Sequence, residues 1–353
     1  MPSTTPLIAA PARQPFSRLV TVAATASTND DLRAELTGPD GRLRLDSVNV
    51  WPHLSVLRAV TQTAGRGRAG HTWTTPPYGA LTMSVVLRPL VEPRHLAWLP
   101  LLAGLAVSRA VRPWLDATDW EARTKWPNDV VVVPTAHDPG DVPGWGTSRK
   151  VAGVLTELVV HPQAAGDPQA APADRGEAHA IILGIGVNVS QGHDELPVPW
   201  AASMATVGAS VPGGTRVQAR TGSGEKDTAE RDVYVDAFMR DVGDELLALL
   251  DRWEKMGGDP DAGDGSLGAE LRASCISLGA RLRVQTPDSQ VTGTAVGIEP
   301  ALVLRTRATD GSHHEVRISA GDVTLARSID DIEPGLSRTE RARPDRPQTR
   351  REP

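Results

Sequence analysis

Residues 62–73, Gln-Thr-Ala-Gly-Arg-Gly-Arg-Ala-Gly-His-Thr-Trp, crowd chemically able groups into one stretch. Gly65, Gly67 and Gly70 let the backbone take positive φ and come close to a ligand. Arg66 and Arg68 stand between them as permanent, fork-shaped cations suited to a carboxylate or phosphate. Gln62 offers a donor and an acceptor, and Trp73 offers a flat apolar face. The stretch reads as an anion site with a ring-stacking platform; a solvated basic turn or a small nucleic-acid contact would use the same residue types.

Four other stretches carry candidate groups. Thr124-Lys125-Trp126-Pro127-Asn128-Asp129 is a tight corner before the β-branched run Val130 to Val133. Lys125 can pair with phosphate and Asp129 is a hard oxygen ligand for magnesium, although a plain turn would carry the same two charges in water. Lys150 opens the apolar strand 151–158, where it either snorkels to water or faces a ligand, and Gly153 within that strand marks a close approach. Gly184-Ile185-Gly186-Val187-Asn188 repeats the pattern of close approach beside a hydrogen-bonding amide. Ser27, Thr28 and Asn29 open a helix, either capping it or reaching a ligand.

The elements that would position these groups follow from periodicity. Strands are expected at 17–24, 54–61, 81–87, 130–133, 151–158 and 181–189, so the Gly/Arg loop lies between two strands that hold it rigidly. Helices are expected from Ser27 to about Leu36, over 95–115 with Trp98 and Trp114 as core, over 230–254, and over 267–276. From Ala280 to Leu325 short strands alternate with Gly/Asp/Pro turns, as in a small barrel. Residues 1–16, with four prolines, read as a flexible leader, 134–148, 161–178 and 208–229 as flexible loops, and 334–353 as a disordered tail. This places a catalytic domain at 17–275 and a small β domain at 278–327.

Composition excludes several classes. A net charge of −6 over 353 residues argues against a general nucleic-acid or membrane-surface role. The single cysteine, Cys275, sits in an apolar context and forms no intramolecular disulfide, which fits a reducing compartment. Neither a membrane span nor a signal peptide is legible, so a soluble cytoplasmic protein is expected.

Taken together, Ser27-Thr28-Asn29, Gln62 with Gly-Arg-Gly-Arg-Ala-Gly at 65–70, Trp73, Lys-Trp-Pro-Asn-Asp at 125–129, Lys150 with Ala-Gly-Val-Leu-Thr-Glu, and Gly-Ile-Gly-Val-Asn at 184–188 resemble the biotin protein ligase family in order and spacing. The resemblance implies an α+β fold: a mixed-sheet catalytic domain of the biotin/lipoate ligase, class II synthetase-like type, and a C-terminal SH3-like barrel. It implies a two-step ATP-dependent ligase. Biotin and ATP give biotinyl-5′-AMP and pyrophosphate, with Mg²⁺ on the triphosphate, and the biotinyl group then passes to a lysine of the biotin carboxyl carrier domain of a carboxylase. Carried over by motif, Ser27, Thr28, Asn29, Gln62, Gly65, Arg66, Gly67, Arg68, Lys150 and Gly153 would hold biotin. Trp73, Lys125, Asn128 and Asn188 would hold the adenylate, Asp129 the magnesium, and Arg68, Lys125 and Lys150 would be catalytic.

Sixteen residues before the first strand leave no room for a helix-turn-helix, so the monofunctional type without DNA binding is expected; separately, a monomer or weak homodimer is expected. His71 stands where the family usually carries another arginine, and Thr74-Thr75-Pro76-Pro77-Tyr78 departs from the usual Trp-x-Ser-Pro. A lipoate ligase of the same fold and an RNA-binding protein using the Gly/Arg loop are the competing expectations.

Overall fold

A computed structural model describes residues 8–9, 15–74, 79–162, 169–219, 225–308 and 310–326. One mixed sheet runs in the order β1 (Ile8–Ala9), β2 (Arg18–Thr25), β3 (Ser55–Gln62), β4 (Ala80–Leu87), β8 (Ala180–Asn188), β7 (Arg149–Val159), β6 (Asp129–Pro134), β5 (Trp120–Lys125). The pair β2 and β3 is parallel and the other neighbours are antiparallel. Helices α1 (Thr28–Leu36), α2 (Ser47–Val50), α3 (Leu99–Val111), α4 (Glu225–Lys255) and α5 (Ser266–Ser274) complete this part of the α+β fold.

Side chains alternate across a strand, so the central strands feed two layers. Leu81, Met83, Val85 and Leu87 of β4 join Leu183, Ile185 and Val187 of β8 in the core shared with α3 and α4. Val86 and Ile182 point the other way, onto Leu32 and Leu36 of α1. Helix α3 is buried on nearly every side, which accounts for its carrying a single charge, Arg109, ion-paired with Glu245 and Glu270; Trp98 and Trp114 beside it are core as expected.

On the α1 face the sheet changes character along its strands. In β8, Ala180 and Ile182 are core, but Gly184 and Gly186 lack side chains and Asn188 is polar. Strand β4 repeats the change, from Val86 to the buried hydroxyls of Ser84 and Thr82. An apolar layer thus yields to a polar one at the sheet end where β2, β3, β5 and β8 finish and β4, β6 and β7 begin.

A second, antiparallel sheet runs β12 (His313–Ile318), β11 (Leu302–Arg307), β10 (Gln290–Ile298), β9 (Arg281–Gln285), β13 (Asp322–Leu325). Its Leu282, Val284 and Leu304 belong to the same core cluster as α3, and Trp126 Nε1 donates to Pro300 O at 3.1 Å, so the two sheets are packed together.

Four segments expected to be flexible are tied to the fold in part. The leader is not wholly detached, because Ile8–Ala9 pairs with β2 and Phe16 is buried beside Gly243. Part of 208–229 is folded: Ala209 and Val217 are buried, and α4 begins at Glu225. Residues 134–148 form a turn closed by Val142 and Gly146, and residue 175 of the 161–178 segment is anchored by the Arg175–Glu254 ion pair at 2.5 Å. Residues 163–168, 220–224 and the tail at 334–353 lie outside the described residues.

Candidate active site

At the polar end of the sheet lies a cavity of about 540 Å³, lined from α1, β3 to β8, the Gly/Arg loop, residues 143–145, residues 197–201 and the β13 region. Its first end is lined mainly by neutral hydrogen-bonding groups, with Arg66 the charged member. Ser27 caps α1, accepting from Asp30 N at 3.3 Å, so the capping reading holds for it while it also lines the cavity. Gln62 Oε1 accepts from Thr28 N at 2.8 Å and from Thr28 Oγ1 at 3.1 Å. Ser84 Oγ lies 2.7 Å from Thr28 Oγ1 and 2.6 Å from Asn29 Oδ1. Behind them Asn29 Nδ2 donates to Glu157 Oε1 at 3.1 Å. Burial raises the Glu157 carboxyl, but hydrogen bonds from Asn29 and Arg33 and the charges of Arg33 and Arg66 outweigh it and hold the group below the ordinary carboxylate range.

The glycines explain themselves here. A Cβ on Gly184 would lie 2.5 Å from Asn29 Oδ1, and one on Gly186 would lie 2.6 Å from Trp73 Cε2. Trp73 therefore rests directly on the bared backbone of β8, with Gly153 of β7 beside it, and its buried Nε1 has no partner among the described residues. That orphaned donor and flat floor suit a planar, hydrogen-bonding ligand.

The second end is ionic. Asp129 Oδ1 lies 2.5 Å from Lys150 Nζ, and Asp129 Oδ2 lies 3.6 Å from Lys125 Nζ. Lys125 is buried, donates to Val323 O at 2.8 Å and lies 4.1 Å from the Trp145 ring centroid. Burial pulls its pKa below the ordinary lysine value; Lys150 pulls the same way, while Asp129 opposes both. Lys150 Nζ also sits 5.5 Å from the Trp73 ring, which joins the two ends.

The Gly/Arg loop folds over the cavity as a small hairpin. Gly67 N donates to His71 O at 2.7 Å and Trp73 N to Gly65 O at 2.9 Å, with Ala69 and Gly70 in the left-handed region at φ 50° and 79°. A Cβ at Gly65 would strike Trp73 O at 2.3 Å. The two arginines differ. The Arg68 guanidinium has no hydrogen-bond or ion-pair partner among the described residues; its burial pulls its pKa down, while the charges of Asp322 and Asp129 favour the charged form. Arg66, expected to lend a free charge to the ligand, is paired with Asp30 and lies 3.7 Å from Glu157, so its charge is largely offset within the protein.

The structure thus brings Ser27, Thr28, Asn29, Gln62, Arg66, Gly67, Arg68, Trp73, Lys125, Asn128, Asp129, Lys150, Gly153 and Asn188 to one cavity; Gly65 stands behind its wall. Two of these residues also serve the fold. Asn128 Nδ2 donates to Val154 O at 2.6 Å, and Asn188 Nδ2 to Ala202 O at 3.0 Å with Asn188 Oδ1 accepting from Gln191 at 3.1 Å, so these amides brace the strand ends while lining the cavity. Asp129, expected to meet magnesium, is engaged by both lysines. Magnesium needs near-octahedral oxygen donors, whereas this carboxylate is engaged by two ammonium groups, and among the described residues no three His, Cys, Asp or Glu converge. A lone carboxylate would hold magnesium only together with a substrate's phosphates.

Thr82, Trp145, Trp200 and Asp322 also line the cavity, and Ser84 lies buried behind it against Thr28 and Asn29, none of them singled out in the sequence. Ser84 and Thr82 carried a signal, two hydroxyls on one face of an otherwise apolar strand. Trp145 had a weaker one, a tryptophan between two glycines in a loop. Trp200 and Asp322 had none.

Residues 40–165 match the model of the Biotin/lipoate A/B protein ligase family. The biotin–[acetyl-CoA-carboxylase] ligase of Mycobacterium tuberculosis is 31% identical over 315 residues, covering 88% of this chain and 90% of that protein. The bifunctional ligase/repressor BirA of Bacillus subtilis is 28% identical over 146 residues, 41% of this chain and 36% of that protein. Among solved structures, the biotin protein ligase from Aquifex aeolicus in complex with biotin and ATP superposes with a TM-score of 0.53 at 21% identity, covering 89% of this chain and all of that one, a likeness of fold.

Proposed function

Because the chain belongs to the biotin protein ligase family, we propose that it activates biotin with ATP and transfers the biotinyl group to a lysine of a carboxylase carrier domain. The observation that carries this reading is one cavity in which a neutral hydrogen-bonding end and a lysine-rich end meet across Trp73. A volume of about 540 Å³ is of the size that small-molecule and cofactor sites have. The neutral end suits biotin's ureido ring, since a site of buried, interlocked donors and acceptors rejects a ligand that leaves them unpaired.

In the first step a biotin carboxylate oxygen forms a bond to the α-phosphorus and the bond to pyrophosphate breaks. Two anions must meet, and Lys150, Lys125 and Arg68 are the cations that offset their repulsion in a site of low dielectric. Asp129 holds both lysines in place before ligand arrives, and magnesium enters as part of the nucleotide substrate. In the second step the carrier's amine attacks the acyl carbon, AMP leaves, and the amine proton is lost to the phosphate or to solvent. No nucleophile of this chain is required. The Gly/Arg loop over the cavity limits hydrolysis of the mixed anhydride.

The test is incubation with labelled biotin, ATP, magnesium and a carrier domain, with pyrophosphate exchange measured in parallel with biotin and with lipoate. Biotin-dependent exchange and labelling of the carrier are expected. Exchange that needs lipoate instead, or none with either acid, would overturn the reading. In the full chain, Arg68→Ala should sharply weaken exchange with the fold intact.

A further inference from the structure

The segment 134–148 is a strap between the ionic end of the site and the second sheet. Gly144 O accepts from Leu325 N at 3.0 Å, and Arg149 gathers the segment from behind through Pro139 O at 3.0 Å and Gly140 O at 2.7 Å. Gly144 and Gly146, on either side of Trp145, are left-handed at φ 78° and 58°, and a Cβ on them would lie 3.3 Å from Thr324 and 3.0 Å from Leu325. The two glycines let the strap press against β13 while Trp145 turns inward. There Trp145 stacks on Trp200 with ring centroids 5.8 Å apart and planes 6° from parallel, and it faces the Lys125 ammonium at 4.1 Å. Trp145 is only half-buried and belongs to neither hydrophobic core, so packing alone does not account for it.

Lys125 is otherwise held by one carbonyl and a carboxylate 3.6 Å away that it shares with Lys150. A compact ammonium on four methylenes has wide freedom, and an aromatic face is the contact that restricts it without neutralising its charge. We propose that Trp145 is a positioning residue for the nucleotide: held by the strap against Trp200 and β13, it keeps the Lys125 ammonium aimed into the cavity and so sets the affinity for ATP. This rests on the ligase reading, and it gives the strap and the second sheet a shared task in the first half-reaction.

The experiment compares Trp145→Leu and Trp145→Phe with the parent chain in biotin-dependent pyrophosphate exchange, varying ATP and biotin separately, alongside thermal melting. Trp145→Leu should raise KM for ATP about tenfold, the effect expected of roughly 1 to 2 kcal/mol of lost cation–π restraint. KM for biotin should stay within about twofold, and Trp145→Phe should recover most of the loss. Equal KM for ATP in Trp145→Leu and the parent would overturn the proposal. So would equal rises in both KM values, or a loss that phenylalanine does not rescue, since those mark a packing role. Absence of exchange in the parent chain is a separate result, and it counts against the ligase reading itself.

Discussion

At one end of the cavity Thr28, Asn29, Ser84 and Gln62 hold one another through neutral hydrogen bonds of 2.6 to 3.1 Å; at the other, Lys125, Asp129 and Lys150 are held by charge. The neutral end is made rigid by mutual satisfaction, with Gly184 clearing room for Asn29. Such a site discriminates by shape and donor pattern and feels pH little. The ionic end keeps two cations apart with one carboxylate, an arrangement that attracts phosphate strongly and responds to pH. Selection of the acid and stabilisation of charge in the reaction thus fall to different parts of one cavity.

The sharpest way to break that division is at Lys150. Lys150→Ala should lower adenylate formation by about a thousandfold, the scale of losing a preorganised charge-stabilising donor, with KM for biotin changed far less. A near-normal rate would mean that Lys150 serves only to pair with Asp129. Next comes Gly186→Ala, whose methyl group would meet Trp73 at 2.6 Å and push it off the sheet. Because Trp73 joins the two ends, a displacement of this kind should cost about a hundredfold in kcat/KM for both substrates. An effect on one substrate alone would show that the ends are not coupled through it. Gly184→Ala should be milder and one-sided: crowding Asn29 Oδ1 at 2.5 Å forfeits about one hydrogen bond, or roughly tenfold in KM for biotin. An equal rise in KM for ATP would erase the contrast between the ends.

Titration provides a finer test. Burial, reinforced by Lys150, brings Lys125 below its ordinary value of 10.5. Once deprotonated, it no longer attracts phosphate, so kcat/KM for ATP should fall on the alkaline side starting below that pH. The Asp129 charge favours protonated Lys125, so Asp129→Asn should move this limb to still lower pH; an unmoved limb would remove Lys125 from nucleotide binding. The smallest effect is expected at His71, whose Nε2 reaches Asp322 at 3.0 Å with both side chains well exposed. Exposed pairs contribute about 0 to 1 kcal/mol, so His71→Ala should change exchange by no more than about fivefold at low salt and less at high salt.

Much of this was legible along the chain. Most strands and helices followed from periodicity and the mixed sheet from the family resemblance, and the five short motifs supplied nearly every group of the neutral end, because α1 and the end of β3 are adjacent through the parallel pairing of β2 with β3. Glycines at 153, 184 and 186 were recognisable as places of close approach, since a glycine inside a good strand has few other uses. What touches them was not legible.

Sequence alone therefore determined the residue types, their local conformations and the chemistry they can do, since helix capping, strand alternation and glycine's freedom are short-range properties. Only the tertiary structure decided which charges are free. Arg66 and Arg68 are two residues apart, yet one is offset by Asp30 and Glu157 while the other meets only the more distant fields of Asp322 and Asp129. It likewise decided that Trp145, from a loop with no periodicity, and Val323, from the far end of the chain, close around Lys125. Coulomb energy and desolvation depend on distance and burial in space, and residues 125, 145 and 323 acquire both only when the two sheets pack together.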